Sequence, residues 1–424
     1  MNTYDCNEGA EGTEALRSHY GLMLGLQRPW RVETVKLDVV GKRLELGLEW
    51  EREGSSQDCP ECGRACHLHD HAPERQWRHL DAMGFVTTLR ARVPRIKCPE
   101  HGVKSAAIPW ALPHGRFTLA FEAMVIEVVK ACASVHAACE LLNLEWKHVH
   151  AIMERAVRRG MGRRRVDGLK AVGFDEKSFK RGQSFISHMC DLRHPRVLEV
   201  VEGRDQQSAR ALWQSLPEEI SARVEDAVMD MSAGFAAAAR IEAPQARVTY
   251  DKFHVVSHLS KAVDEIRRAE HKALLAQGDE TLKGQRMLFL FNPENFSEQQ
   301  AASFEILLKS NLKAGQAWAF KELFANFWEQ PDKESAHIFI KKWCSRVKKT
   351  RLHALKKFAA MVERHLNGLL NYFVSRLTNA LCEGFNSKIQ QIKTAARGFR
   401  SFQNYRTRIL FFLGDLDLSV RLSH

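Results

Sequence analysis

The 424-residue sequence predicts an α+β protein with several domains. Apolar residues alternate with polar ones in the N-terminal part, which is typical of half-buried strands. Five short β-prone runs follow between residues 166 and 251, with two helical runs among them. The apolar spacing is then almost continuously helical from residue 252 to residue 371. We therefore expect a β-rich module, a small helical domain, and a mixed α/β core interrupted by a large all-α insertion.

The chain is basic, with 63 Lys and Arg residues against 51 Asp and Glu residues and a net charge of +12. This balance favours a polyanionic partner such as nucleic acid, although a merely basic protein would have the same composition. No apolar run approaches the ~20 residues of a membrane span, and the polar N-terminus lacks the apolar core of a signal peptide. We therefore expect neither a membrane partner nor export.

The N-terminal part is predicted to contain a weakly ordered arm, residues 1–30, and a β-rich module, residues 31–113. Between residues 31 and 50, two alternating apolar runs flank Gly41, which predicts a β-hairpin. A further alternating run at residues 87–93 predicts another strand of the same module.

Two knuckles of matching design lie in this module. Cys59 and Cys62, like Cys98 and His101, are separated by two residues and followed by glycine. Two such turns bring four side chains to one tetrahedral Zn²⁺, so we predict a structural zinc site; chance thiols or a redox pair are the alternatives. The competing ligands nearby, expected at the surface, are Cys66, His67, His69 and His71.

Residues 114–165 are predicted to contain three helices. Apolar residues from Phe121 onward have helical spacing, Ser134 is a suitable N-cap for a second helix, and a third runs over about residues 145–159. Two helices with a tight junction behind a supporting helix resemble a helix-turn-helix unit, which binds DNA. The arginine-rich run 155–165 is predicted to be a basic linker.

Residues 166–251 are predicted to form a mixed α/β sheet with the order βββαβαβ. The strands are expected at 169–174, 184–190, 196–201, 224–229 and 247–250, and the helices at 208–216 and 234–241. Residues 252–371 are the predicted all-α insertion, and residues 372–424 return to the core and end in a basic tail.

Aromatic residues in the insertion have helical spacing, which favours a buried core over a surface for DNA ends or a second copy. They are Trp318, Phe320, Phe324, Phe327 and Trp328.

Two acidic residues, Asp175 and Asp230, lie where predicted strands end. Carboxylates at one edge of a sheet are suitable ligands for Mg²⁺ ions that promote phosphodiester chemistry. Glu176 is the alternative to Asp175. Asp226 and Asp251 compete with Asp230, but Asp226 begins its strand, whereas Asp251 ends the next one and could support a metal site.

A third carboxylate, Glu383, lies far downstream in a helical stretch. Asn379 and Asn386 lie four residues before it and three after it, on the same helix face. These amides could orient Glu383 or contact DNA, or they could be exposed polar positions.

Four motifs in this order resemble those of the DDE transposases of bacterial insertion sequences, in particular the ISL-three family. They are 172–182 (VGFDEKSFKRG), 230–232 (DMS), 250–256 (YDKFHVV) and 378–386 (TNALCEGFN). The tail segment 396–402 (ARGFRSF) and the order of zinc knuckles, helix-turn-helix and core also resemble that family. The resemblance spans residues 55–412.

This resemblance implies an RNase H-like core with the catalytic triad Asp175, Asp230 and Glu383, which would hold Mg²⁺ or Mn²⁺. It implies cleavage of transposon ends and transfer to target DNA, both double-stranded, by a homodimer or higher oligomer. The expected location is the bacterial cytoplasm, in association with the nucleoid. The alternatives are a DNA-binding regulator with an inactive core and an RNase H-like nuclease without strand transfer.

Further residues are expected to support the triad or contact DNA, although a solvated basic face is the alternative for the cations. They are Asp251, Asn379, Asn386, Lys388, Lys393, Arg397 and Arg400, with Arg406 and Arg408 beyond them.

Overall fold

A computed structural model describes residues 3–5, 10–51, 56–180, 184–291, 293–310 and 312–421. The chain forms two compact units. The first comprises Met1–Arg164 with the segment that begins at Leu416, and the second comprises Arg165–Asp415.

The first unit contains a twisted sheet with the strand order β1-β2-β3-β7-β6, and β8 pairs with β7. Its strands are β1 (Thr3–Asp5), β2 (Trp30–Asp38), β3 (Arg43–Trp50), β6 (Leu68–Arg78), β7 (Val86–Cys98) and β8 (Gly102–Ser105); β4 (Gln57–Asp58) and β5 (Ala65–Cys66) pair separately. The predicted hairpin is confirmed, because β2 and β3 pair antiparallel on either side of Gly41. The expected weakly ordered arm instead contains β1 and helix α1 (Ala10–Met23).

Four tryptophans explain why these strands pack as one layer. Trp30 lies edge-to-face against Trp50 and Trp110, and Trp110 lies edge-to-face against Trp77, with ring centroids 4.7 to 5.6 Å apart. All four are buried. Each buried aromatic ring removes a large apolar area from water, so this cluster is the centre of the unit's core.

Three helices follow the sheet: α2 (Leu119–Cys132), α3 (Val135–Leu142) and α4 (Trp146–Arg163). Ser134 caps α3 as predicted, since its hydroxyl accepts a hydrogen bond from the Ala137 amide. The α3–α4 junction is tight because Asn143 takes a left-handed conformation, with φ 50°.

The prediction of a basic linker at residues 155–165 is wrong, because α4 continues through Arg163. Arg155 pairs with the buried carboxylate of Glu122. Arg159 and Arg163 donate to the Ser419 carbonyl at 3.0 and 2.8 Å. Arg159 and Arg163 therefore hold the C-terminal segment against α4, so a packed helix stands where the linker was expected.

The second unit contains a five-stranded sheet with the order β11-β10-β9-β12-β13. Its strands are β9 (Ala171–Ser178), β10 (Phe185–Asp191), β11 (Arg196–Glu202), β12 (Asp226–Met229) and β13 (Arg247–Tyr250). β9, β10 and β11 are antiparallel, whereas β12 is parallel to both β9 and β13. The five predicted strands are all present.

Helices cover both faces of this sheet. The linking helices are α5 (Gln206–Gln214), α6 (Glu218–Ser221) and α7 (Ala233–Glu242). Phe174 of β9 packs on their side, against Trp213 and Phe235. Since side chains alternate along a strand, the neighbouring Gly173 and Asp175 face the other side. Helix α15 (Ala380–Ala395) packs on β9 there, and α16 (Phe402–Leu413) packs on β11.

Between β13 and α15, the described residues form helices joined by turns and short loops. Its helices are α8 (Lys252–Leu275), α9 (Arg286–Leu290), a 3₁₀ turn (Pro293–Asn295), α10 (Glu298–Lys309), α11 (Lys313–Trp328), α12 (Lys333–Lys348), α13 (His353–Arg364) and α14 (Leu366–Ser375). Phe324, Phe327 and Trp328 are buried in its core, and Trp318 and Phe320 pack against that core half-buried. The core interpretation of the aromatic spacing therefore fits the packing. No described helix is long and apolar enough to span a membrane.

Candidate zinc site and carboxylate active site

The four predicted zinc ligands converge at two turns, the one between β4 and β5 and the one between β7 and β8. The Cys98 sulfur lies 3.7 Å from the Cys62 sulfur and 3.6 Å from His101 Nδ1, and the Cys59 sulfur lies 3.8 Å from the same nitrogen. These separations suit four ligands around one tetrahedral ion. Burial acts to raise the pKa of Cys98, but hydrogen bonds from the backbone amides of His101 and Glu100 outweigh it and lower that pKa to about 6. The set therefore fits Zn²⁺, which binds the thiolate.

The competing ligands lie outside this group of four. His67 and His69 are exposed as expected, and His71 is half-buried. The expectation that Cys66 lies at the surface is wrong, because Cys66 is buried against Cys59 and Cys98. The Cys66 thiol donates to the Arg64 carbonyl at 3.2 Å, so this thiol already has a hydrogen-bond partner in the knuckle backbone.

Strand register explains how Asp175 and Asp230 come to the same edge. β12 pairs with β9 in parallel, with Val228 opposite Gly173. Two residues further along each strand, Asp230 is level with Asp175, and neighbouring strands are about 4.8 Å apart. Asp230 follows the last residue of β12 directly. The backbone of Asp175, which lies inside β9 rather than at its predicted end, is thus level with that of Asp230 just after β12.

Asp175 is buried and oriented by hydrogen bonds. Its Oδ2 accepts from the Asn386 amide nitrogen at 2.7 Å, and its Oδ1 accepts from the Glu176 backbone amide at 2.8 Å. Burial raises the pKa of Asp175 to about 6, and the nearby carboxylates of Glu383 and Asp251 act in the same direction. Such a carboxylate gains strongly from a cation, because a positive ion relieves both burial and repulsion.

Glu383 lies in the first turn of α15 and faces the same place. One carboxylate oxygen of Glu383, one of Asp251 and one ring nitrogen of His254 all lie within 4.8 Å of one another. Burial and the charge of Asp251 raise the pKa of Glu383. The structure therefore brings Glu383 to the edge that carries Asp175, across more than two hundred residues of sequence.

Asp251 connects the starts of two helices. Its Oδ2 accepts from the backbone amide and from Nδ1 of His254, both at 3.1 Å, which caps α8. Its Oδ1 accepts from the Asn379 backbone amide at 3.0 Å, just before α15. The Asn379 side chain donates in turn to the Phe174 carbonyl of β9 at 2.9 Å. Asp251 and Asn379 therefore fix α15, and with it Glu383, to the sheet edge.

His254 is the site residue that sequence reasoning missed. The hydrogen bond to Asp251 raises the pKa of His254 to about 9 against the opposing effect of burial, and Asp230 and Asp175 add to the shift. It is therefore a cation at neutral pH and partly balances the carboxylates. The signal was available: an Asp-x-x-His pattern at the end of a predicted strand matches a helix cap with a histidine one turn later.

The other acidic candidates have different surroundings. Burial raises the pKa of Glu176, and the Asp230 charge adds to this, so Glu176 lies near the site without joining the group above. Asp226 begins β12 at the opposite end from Asp230. It forms two hydrogen bonds of 2.9 Å with the guanidinium of Arg247, which explains its burial.

The basic candidates divide into exposed and engaged side chains. Lys388, Arg397 and Arg400 are exposed on and after α15, whereas Lys393 donates to the Ser178 carbonyl at 2.9 Å. Arg406 instead forms a two-pronged ion pair with Glu199, at 2.7 and 2.6 Å, and Arg408 is buried. The last two are therefore packing residues of α16, which corrects their proposed role as DNA contacts.

Comparison with protein families identifies the chain. The model for the ISL3 (ISL-three) transposase domain, described as a transposase, matches residues 172–409, more than half of the chain. The protein belongs to the ISL3 family of transposases. A zinc-finger model for the transposases of IS204, IS1001, IS1096 and IS1165 matches residues 55–101, and the helix-turn-helix model of the ISL3 family matches residues 106–157. This transposase thus carries a zinc ribbon and a DNA-binding helix-turn-helix domain.

Individual relatives agree with the family. The transposase for insertion sequence element IS1557 of Mycobacterium tuberculosis is 29% identical over 372 residues, which cover 81% of this chain and 83% of the relative. The transposase for IS1001 of Bordetella parapertussis is 23% identical over 355 residues, which cover 83% and 87% of the two chains. The predicted transposase function is confirmed.

Proposed function

We propose that Asp175, Asp230 and Glu383 hold the divalent metal ions, Mg²⁺ or Mn²⁺, with which this ISL3 transposase cleaves transposon ends and transfers them to target DNA. The observation that carries this proposal is the register that sets Asp230 beside Asp175, with Glu383 on the helix packed over the same edge. Oxygen-rich, partly buried carboxylates with raised pKa values suit hard cations.

When bound, such ions would activate the attacking oxygen and stabilise the leaving oxygen of an in-line displacement. The chain's own groups would prepare the site for them. Asn386 orients the Asp175 carboxylate, and Asp251 fixes the helix that presents Glu383. The His254 cation reduces repulsion among the carboxylates and offers a positive charge to DNA phosphate.

We propose that the second unit contains an RNase H-like core, whose first part is residues 166–251. The helical insertion, residues 252–371, interrupts this core. The strand order, with three antiparallel strands followed by two parallel ones, supports this assignment. The last part of the core would run from residue 372 to about Asp415, since the segment from Leu416 belongs to the other unit. Residues 31–113 would form the zinc-ribbon module and residues 114–165 the helix-turn-helix domain.

We propose double-stranded DNA as the substrate, with the exposed cations Lys388, Arg397 and Arg400 as phosphate contacts. Two ends must be joined to one target, which favours a homodimer or higher oligomer on the DNA. The substrate would be the DNA of a bacterial nucleoid.

The test is cleavage of DNA that carries the inverted repeats flanking the gene. Asp175→Asn, Asp230→Asn and Glu383→Gln should each slow cleavage on the order of a thousandfold or more, because a lost metal ligand costs several kcal/mol in the transition state. Binding of the same DNA in a gel-shift assay should change little.

The matched control is Glu225→Gln. Glu225 is exposed just before β12, so the substitution removes one charge at the opposite end of the strand that Asp230 follows. It should cleave at the wild-type rate. Wild-type cleavage by a triad variant would remove that residue from the site, and a strong defect in Glu176→Gln with activity in Asp175→Asn would exchange their roles.

A further inference from the structure

A second group of potential metal ligands lies inside the catalytic unit, beneath the carboxylate site. One ring nitrogen of His188 and the sulfurs of Cys190 and Cys382 all lie within 4.8 Å of one another. All three side chains have no exposed area. His188 and Cys190 alternate on β10, so both face α15, which carries Cys382.

Two buried polar groups at this place have no partner among the described residues. Neither ring nitrogen of His188 has a partner in hydrogen-bond geometry, although the Cys382 backbone lies close enough to act on the ring, and the side-chain oxygen of Asn379 makes no hydrogen bond. A buried polar group without a partner is unfavourable, because it has lost its hydrogen bonds to water without replacing them. The nitrogen, sulfur and oxygen atoms at this place therefore have lone pairs that a bound ligand such as a metal ion could accept.

Gly173 lets the side chains of α15 approach the β9 backbone closely. A Cβ atom at this position would lie 2.5 Å from the Cys382 sulfur and 2.9 Å from the Asn379 oxygen. Gly173 is also the strand partner of Cys190. The Cys382 sulfur and the Asn379 oxygen therefore lie together on the α15 side of the sheet, next to the strand pair that carries Cys190.

We propose that His188, Cys190 and Cys382 bind a second zinc ion, with the Asn379 oxygen as the fourth donor. Two thiolates neutralise the charge of Zn²⁺, and the histidine and amide add none, so the complete site is electrically neutral. Neutrality matters here, because an uncompensated charge in a fully buried site is strongly unfavourable. Zinc–sulfur bonds of about 2.3 Å and zinc–nitrogen bonds of about 2.0 Å place donor atoms about 3.5 to 3.8 Å apart, within the 4.8 Å that encloses the three donors here.

This ion would be structural. It would join β10 to α15 one residue before Glu383, and thereby hold the catalytic helix against the sheet. The zinc ribbon of the first unit cannot serve this purpose, because its ligands belong to a different unit.

The experiment is the zinc content of the full-length protein, purified without chelator and measured by mass spectrometry of the metal. Wild-type protein should contain two zinc ions per chain. A Cys59→Ser/Cys62→Ser variant should keep one of them, in the catalytic unit. A Cys190→Ala/Cys382→Ala variant should also keep one, in the ribbon.

Cys344→Ala is the matched control, because Cys344 is a buried cysteine of the same unit outside both ligand groups. It should keep two ions. If the double-alanine variant does not fold, the ribbon variant and the wild type decide the matter. One zinc ion in the wild type and none in the ribbon variant would overturn the proposal. So would an intact mass lower by two hydrogens that shows a Cys190–Cys382 disulfide.

Discussion

The zinc ribbon and the carboxylate site gather their side chains in opposite ways. The ribbon takes its four proposed ligands from one local module, with donor atoms 3.6 to 3.8 Å apart. The carboxylate site takes Asp175 and Asp230 from neighbouring strands and Glu383 from a distant helix. Backbone amides lower the pKa of Cys98 to about 6, whereas burial raises the pKa of Asp175 to about 6.

This difference follows from the charge of the ligands. A thiol is neutral until it loses its proton, so several thiols can pack closely before metal binds. Carboxylates repel one another, so they need supporting groups: Asn386 for Asp175, Asp251 for α15, and the His254 cation for the whole edge. The ribbon should therefore depend on its metal for folding, and the carboxylate site on its support for activity.

The largest effect is expected when the ribbon loses a metal ligand. Cys98→Ser removes a zinc ligand, and zinc contributes on the order of 10 kcal/mol to the folding of such modules. The variant should lose one zinc ion per chain and become sensitive to protease in the β6–β8 region, as measured by metal analysis and limited proteolysis.

Cys132→Ser, in helix α2 of the same unit, is the control for the loss of a thiol. It should keep its zinc and its protease resistance. An unchanged zinc content in Cys98→Ser would show that Cys98 is not a ligand.

A smaller effect is expected when a residue that supports the carboxylate site is replaced. Asn386→Ala removes the hydrogen bond to Asp175, and the loss of a group that orients a metal ligand typically costs 10–100-fold. Cleavage at low Mg²⁺ should fall by about this factor and recover in part at high Mg²⁺, because a saturating cation can hold the carboxylate in place.

Gln390→Ala changes an exposed amide one turn later on α15 and should cleave normally at every Mg²⁺ concentration. Equal rates for Asn386→Ala and wild type at low Mg²⁺ would show that Asp175 does not need this support.

The smallest effect concerns the pH dependence of the first unit. Burial, with the Arg78 charge, lowers the pKa of His79 from 6.5 to about 4, and His79 lies 2.9 Å from the Thr118 hydroxyl. The unfolded chain takes up a proton below pH 6.5, whereas the folded chain does so only near pH 4. The stability that the folded protein has while His79 is neutral is therefore fully present above pH 6.5. It is lost as the pH falls towards 4.

His79→Gln should consequently lose less stability than wild type between pH 7 and pH 4.5, by about 1–2 kcal/mol once solvent screening is allowed for. Thermal unfolding at both pH values measures this difference. His136→Gln, at an exposed position on α3, should follow the wild type. An identical pH dependence of wild type and His79→Gln would contradict a neutral, buried His79.

Local patterns made much of the fold predictable. The hairpin at Gly41 and the Ser134 cap depend on residues close in sequence, and strand β13 matches its predicted span, 247–250. The convergence of the four proposed zinc ligands was predictable for the same reason, since each pair lies within one turn.

The misses depend on distant partners. The run 155–165 has the composition of a linker, but its arginines bind the Ser419 carbonyl and Glu122, which no local pattern reveals. Arg406 was similarly unpredictable because its partner Glu199 lies two hundred residues earlier. His188 carried no signal in the sequence, because a single histidine in an apolar strand is usually a packing residue.

The central claim, that the carboxylates at one sheet edge bind divalent metal, is tested most directly by Mn²⁺ binding. Electron paramagnetic resonance of free Mn²⁺ during a titration of full-length protein gives the affinity without requiring DNA or activity. Asp230→Asn should weaken binding by at least about tenfold, because it removes a negatively charged ligand. Glu225→Gln, at the other end of the same strand, should bind like the wild type. Equal Mn²⁺ affinity in Asp230→Asn and wild type would contradict the account.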